Sequence, residues 1–97
     1  MTSIDITERA SDELLKLVDF LAESGVGAAN HFLDRFGLLL ERLARFPEHG
    51  QAATLSDRAN EHMAYLPHAR MLYRFEGGVV TILRVVHDRS DPSVLAE

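Results

Sequence analysis

The stretch Arg70-Met71-Leu72-Tyr73-Arg74-Phe75-Glu76-Gly77-Gly78-Val79-Val80-Thr81-Ile82-Leu83-Arg84-Val85-Val86-His87 decides the fold. Two runs rich in aromatic and β-branched residues flank a glycine pair, and two glycines suit a tight turn that needs positive φ at both central positions. The reading is a β-hairpin with strands over 70–76 and 79–87. If the glycines are central, Glu76 faces Val79, Arg74 faces Thr81, Leu72 faces Leu83 and Arg70 faces Val85 on one side. On the other side Phe75 meets Val80, Tyr73 meets Ile82 and Met71 meets Arg84. The second set is the more apolar, so Met71, Tyr73, Phe75, Val80 and Ile82 are assigned to the core. Arg70, Arg74, Thr81 and His87 then surround a Leu72-Leu83 patch on the open face. Arg84, on the core side, is expected to lay its stem along apolar surface and pair with a helix carboxylate such as Asp19 or Asp34.

Upstream of the hairpin, Met63 and Tyr65 alternate with short or polar neighbours up to Pro67, which reads as a further strand. The segment from Gln51 to Ala59 is polar and reads as irregular. Before it, Ala29, Phe32, Leu33, Phe36, Leu39, Leu40 and Leu43 fall on one helical stripe that runs to Phe46, closed by Pro47 and Gly50. Gly37 inside that helix costs about 1 kcal/mol against alanine, which suggests close helix packing there. An earlier helix carries Leu14, Leu17, Val18, Leu21 and Ala22 on its apolar face, with Thr7 as its cap and Ser24-Gly25 as its end. The link Gly25-Val26-Gly27 is short enough to force an antiparallel helical hairpin. Ile4 and Ile6 alternate with polar residues as an N-terminal strand, and Asp91-Pro92 reads as the start of a last helical turn. The expected architecture is α+β: an N-terminal strand, then an antiparallel helical hairpin packed on one face of a mostly antiparallel sheet, in the order β-α-α-β-β-β. Residues 1–97 read as one domain.

Composition narrows the chemistry. The 97 residues are 46% hydrophobic and 26% charged, as in an ordinary globular protein. The absence of cysteine excludes disulfides and thiolate metal or redox sites. With no signal-peptide pattern and no apolar run of membrane-spanning length, a cytoplasmic protein without a membrane partner is expected. The formal charge is -5, and Lys16 is the single lysine among ten basic residues. Long-range attraction to a nucleic-acid backbone is therefore not built in, and no direct nucleic-acid binding is expected. His31, His49, His62, His68 and His87 show no metal-ligand spacing, and no glycine loop for a dinucleotide is present, so neither metal nor cofactor is expected. What remains is acid-base chemistry by His87 with arginine help, or binding without chemistry. The open-face arginines have two readings, solvated strand positions that discourage aggregation or a contact surface. The leucines between them suit a contact. Leu38, on the polar side of the second helix among His31, Asp34 and Arg42, is a further candidate contact.

The run from Met71 to Gly77 followed by Val80 to Asp91 resembles the closing hairpin of ParE-type toxins in the RelE/ParE superfamily. Val18-Asp19-Phe20-Leu21-Ala22-Glu23, Ala28-Ala29 with Phe32-Leu33, and Leu43-Ala44-Arg45-Phe46-Pro47-Glu48-His49-Gly50 resemble the two helices and the Phe-Pro corner of the same family. The resemblance implies a growth-inhibiting toxin of a bacterial type II toxin-antitoxin pair, neutralised by a small ParD-like antitoxin that wraps a segment around it. ParE-like members act on DNA gyrase, whereas RelE-like relatives cleave messenger RNA on the ribosome with basic residues and a tyrosine or histidine near the end of the last strand. His87 occupies such a place, and Arg58, Arg70, Arg74 and Arg89 could supply charge. A ribonuclease must stabilise a phosphorane-like anion, and the chain is acidic and almost lysine-free. Gyrase binding without catalysis is therefore the favoured expectation, with Arg70, Arg74, His87 and Arg89 on the target; the alternatives are the RelE-like ribonuclease and a non-toxic relative that only binds its antitoxin. The antitoxin is expected on Leu38, Leu72 and Leu83, as an amphipathic segment across the helical hairpin and along the sheet edge.

Overall fold

The computed structural model describes residues 2–47, 51–52 and 61–88. Strand β1 (Ser3–Ile6) leads into helix α1 (Glu8–Ser24) and helix α2 (Val26–Arg45), followed by β2 (Gln51–Ala52), β3 (Glu61–Leu66), β4 (Ala69–Glu76) and β5 (Val79–His87). The five strands form one sheet in the order β1-β5-β4-β3-β2. Only β1 with β5 is parallel, and the other neighbouring pairs are antiparallel. The α+β layering expected from the sequence is what the chain adopts. One difference is β2, two residues that pair with His62 and Met63 inside a stretch read as irregular.

Thr7 does what its position promised, and more. Its Oγ1 accepts the Ala10 N–H at 3.1 Å, capping α1, and donates to the Leu83 carbonyl at 3.3 Å, tying the helix start to β5. Gly25 alone joins the helices, not Gly25-Val26-Gly27. Its φ of 143° and ψ of 147° belong to a region that side chains disfavour, which lets one residue end α1 and start α2. At the hairpin tip Gly77 and Gly78 hold φ of 60° and 77°, the two left-handed conformations of the expected turn.

The main core lies between sheet and helices. Phe32, Leu43, Met71, Tyr73, Val80 and Ile82 are its largest fully buried side chains. Leu14, Val18, Leu40 and Phe75 pack against it partly buried. Ala22 and Leu33, expected in the apolar stripes, lie at their margins and are exposed, because sheet and partner helix together cover only a narrow stripe of each helix. A Cβ built on Gly37 meets nothing within 4 Å, so this glycine is not there for close packing.

The register is where the structure corrects the sequence most. Glu76, Phe75, Arg74 and Tyr73 pair with Val79, Val80, Thr81 and Ile82 as expected. A bulge then opens opposite Leu72 and Tyr73, so that Leu72 faces Arg84, Met71 faces Val85, Arg70 faces Val86 and Ala69 faces His87. Leu83 is the additional residue in β5. One extra residue reverses which positions point inward: Val80 and Ile82 fill the main core before the bulge, and Val85 does so after it.

Candidate functional site

Past the bulge, β5 has outrun β1, which ends at Ile6 opposite Ile82. An uncovered strand edge leaves backbone groups without partners, and α1 supplies them. The Thr7 N–H reaches the Ile82 carbonyl at 3.0 Å. Glu13 accepts the Val85 N–H at 3.1 Å with Oε1 and holds the Arg84 guanidinium at both oxygens, with Nε at 3.0 and 3.1 Å and an Nη at 2.7 Å. The partner of Arg84 is thus Glu13, not Asp19 or Asp34. Glu13 sits one turn into α1, beside the bulge, whereas the other two carboxylates lie farther along the chain from this edge.

Arg70 and Arg74 do share the face of the sheet turned away from the helices. There Met63, Leu72 and Val86 form a second buried cluster with Leu83 packed against it. Leu72 is only 4% exposed, so it is no projecting anchor for a partner; cross-strand packing with Met63 and Val86 takes it up, and Leu83 is half-buried. Arg74 lies 3.8 Å from the carboxylate of Glu61, a buried acid opposite it on β3. His87 has left this group. It follows Val85 on the helix side, where its ring meets Phe20 of α1 edge-on at 5.4 Å and its Nδ1 lies 3.3 Å from Asp88. The bulge therefore divides the expected target-binding set: Arg70 and Arg74 stand on the open face, His87 is turned to α1. Arg89 and Arg58, with His49 and the Asp91-Pro92 turn, lie outside the described residues.

A second surface was only hinted at by Leu38. The side of α2 away from the core carries Arg35, Leu38, Arg42, Arg45 and, at the helix end, Phe46, and this face borders the Tyr65-Leu66-Pro67 end of β3. A shallow groove of about 240 Å³ follows Leu38, Glu41, Arg42, Arg45 and Phe46. Leu38 is 52% exposed, Phe46 64% and Tyr65 63%. The stripe was legible as spacing: Arg42 lies seven residues after Arg35 and Arg45 three further, all on one flank of a helix. In the sequence Phe46 reads as a helix end and as part of the Phe-Pro corner, not as a contact.

None of the described helices is long and apolar enough to cross a membrane. A family model described as ParE toxin of type II toxin-antitoxin system, parDE, matches residues 4–92. No curated protein matches the chain in sequence. Among solved structures it is similar to the chromosomal ParDE TA system from P. aeruginosa, at 20% identity and a TM-score of 0.71, covering 90% of this chain and 96% of that one. That likeness carries the fold: two helices on a mostly antiparallel sheet. With the family match spanning both helices, the hairpin and the strands between, the chain belongs to the ParE toxin family of type II toxin-antitoxin systems.

Proposed function

We propose that this single-domain, cytoplasmic protein arrests growth by binding and poisoning DNA gyrase, without catalysis, and is neutralised by a cognate ParD-like antitoxin. The observation that carries the choice of binding over RNA cleavage is the separation of His87 from Arg70 and Arg74. A ribonuclease needs its proton-transfer group and its phosphate-binding cations within reach of one phosphate. Here the histidine turns to Phe20 of α1 and the two arginines stand across the sheet, the second beside Glu61. The acidic net charge of -5 acts in the same direction, since a polyanion is repelled at long range. The open face with Arg70 and Arg74 is the proposed gyrase contact, and the helical hairpin with Leu38 is the proposed antitoxin contact. The test is a supercoiling assay with purified toxin: inhibition relieved by the antitoxin is expected, and gyrase running unchanged at micromolar toxin rejects the target.

A further inference from the structure

We infer that Glu61 is a specificity-determining residue of the open sheet face: its buried carboxylate offsets the charge of Arg74, so that the face takes hydrogen-bond acceptors of a folded protein and rejects the phosphate row of a nucleic acid. The inference rests on the reading of this face as the target contact and adds what the face discriminates against. Glu61 opens β3, directly opposite Arg74 on β4, and is 6% exposed. A carboxylate is seldom buried to that extent unless a cation compensates it. Here the compensation is loose. The Arg74 guanidinium lies 3.8 Å from the carboxylate, beyond hydrogen-bond reach, and its side chain stays 31% exposed. Glu13 treats Arg84 in the opposite way, closing on it with bonds of 2.7 to 3.1 Å that leave the arginine 5% exposed. Arg84 is thereby committed to the fold, whereas Glu61 lowers the charge of Arg74 without taking its donors.

That combination separates two kinds of partner. A nucleic-acid strand is held by charge summed over successive phosphates. Arg70 and Arg74 lie on one face of β4, four residues and so roughly 13 Å apart along the strand, a span that a short single strand of RNA covers. The carboxylate beside Arg74 removes one of the two charges such a strand would meet. A folded protein offers carbonyls and side-chain acceptors at fixed positions instead, for which the direction of the N–H donors counts for more than net charge. The overall charge of -5 repels polyanions at a distance, and Glu61 does so at the contact itself.

The probe is a short fluorescein-labelled oligouridylate, titrated with the full chain in fluorescence anisotropy between about 50 and 200 mM salt. Wild-type protein should bind it weakly. Glu61→Gln keeps the shape and removes the charge, so it should bind roughly tenfold more tightly at the lowest salt. Its plot of log affinity against log salt should steepen by about 0.7, the value of one further single-strand phosphate contact. Glu61→Met, an apolar residue of similar length, should show the same gain and serves if the amide variant folds poorly. Adding Arg74→Ala to either should abolish the gain. Glu23→Gln, an equal change of net charge at an exposed position of α1, should produce none. A merely structural Glu61 would lower stability in urea without steepening the salt dependence. Unchanged RNA affinity in both Glu61 variants, a gain that survives Arg74→Ala, or an equal gain in Glu23→Gln would each overturn the inference. Gyrase inhibition is read apart from these titrations: a wild-type toxin that leaves supercoiling untouched rejects the target, while the discrimination by Glu61 stands or falls on the RNA measurements alone.

Discussion

Glu13 of α1 holds Arg84 of β5 through both carboxylate oxygens and, with the same group, accepts the backbone N–H of Val85. One side chain thus neutralises an arginine that is 5% exposed and closes a strand edge that β1 is too short to cover. Glu13→Ala removes both at once and leaves a buried cation without this carboxylate, so a loss of about 3 kcal/mol in urea denaturation is expected. Pairing Glu13→Leu with Arg84→Met should recover most of it. A single variant as stable as wild type would mean that the clamp contributes nothing net.

Gly37 offers the opposite sign. It lies exposed in the middle of α2 with open space where a Cβ would stand. Gly37→Ala is expected to stabilise the protein by about 0.5–1 kcal/mol through helix propensity and unfolded-state entropy, raising Tm by roughly 4 °C. A decrease in thermal scans would restore the idea of close packing at this position.

At the hairpin tip, Gly78→Ala forces a Cβ into a left-handed conformation at φ 77° and should cost about 1–2 kcal/mol. Gly77→Asn should be nearly neutral, since asparagine accepts that region and Asn-Gly suits this turn. Similar losses from the two substitutions, measured by chemical denaturation, would argue for another turn geometry.

The division of the sheet by the bulge makes a functional prediction. Arg70→Ala with Arg74→Ala should weaken gyrase inhibition by about tenfold or more, as loss of an interface anchor does, while His87→Ala stays near wild type. The half-inhibitory concentrations in a supercoiling assay decide it, and a His87→Ala variant as impaired as the arginine pair would contradict the proposed face.

Removing Leu83 should be little more damaging than replacing it, because Leu83 is the unpaired extra residue of the bulge. Deletion abolishes the bulge and makes the Tyr73–Ile82 and Leu72–Arg84 pairs consecutive, leaving Arg84, Val85, Val86 and His87 on the faces they now occupy, so a cooperative unfolding transition should persist, and its loss would contradict this register. Leu83→Ala, at a half-buried position, should cost no more than about 2 kcal/mol.

The reason this bulge escaped the sequence is instructive. Up to Ile82 the alternation of Val80, Thr81 and Ile82 fixes which side is core, and there the expected pairs and the core residues Met71, Tyr73, Val80 and Ile82 are those found. Beyond it Leu83, Val85 and Val86 are all apolar, so hydrophobicity alone allows either parity. The choice is made by neighbours distant in sequence, Thr7 and Glu13, which take the edge of β5 where β1 stops. Leu38 was visible as an oddity on a polar helix side, but Arg35, Arg45 and Phe46 acquire meaning only with the end of β3 beside them. The helices and turns, set by local spacing and by Gly25, Gly77 and Gly78, were the readily legible part.

The strand that this edge belongs to also sets a timetable. β5 lies between β1 and β4, and its parallel pairing joins Ser3 to Val79 across almost the whole chain. Contacts of such sequence separation form slowly and close late. A ribosome making this protein releases β1 and both helices long before Val80 and Ile82 exist to complete the core. The nascent chain therefore holds an unfinished hydrophobic layer until β5 emerges, and the core closes only once Val80 and Ile82 are in place.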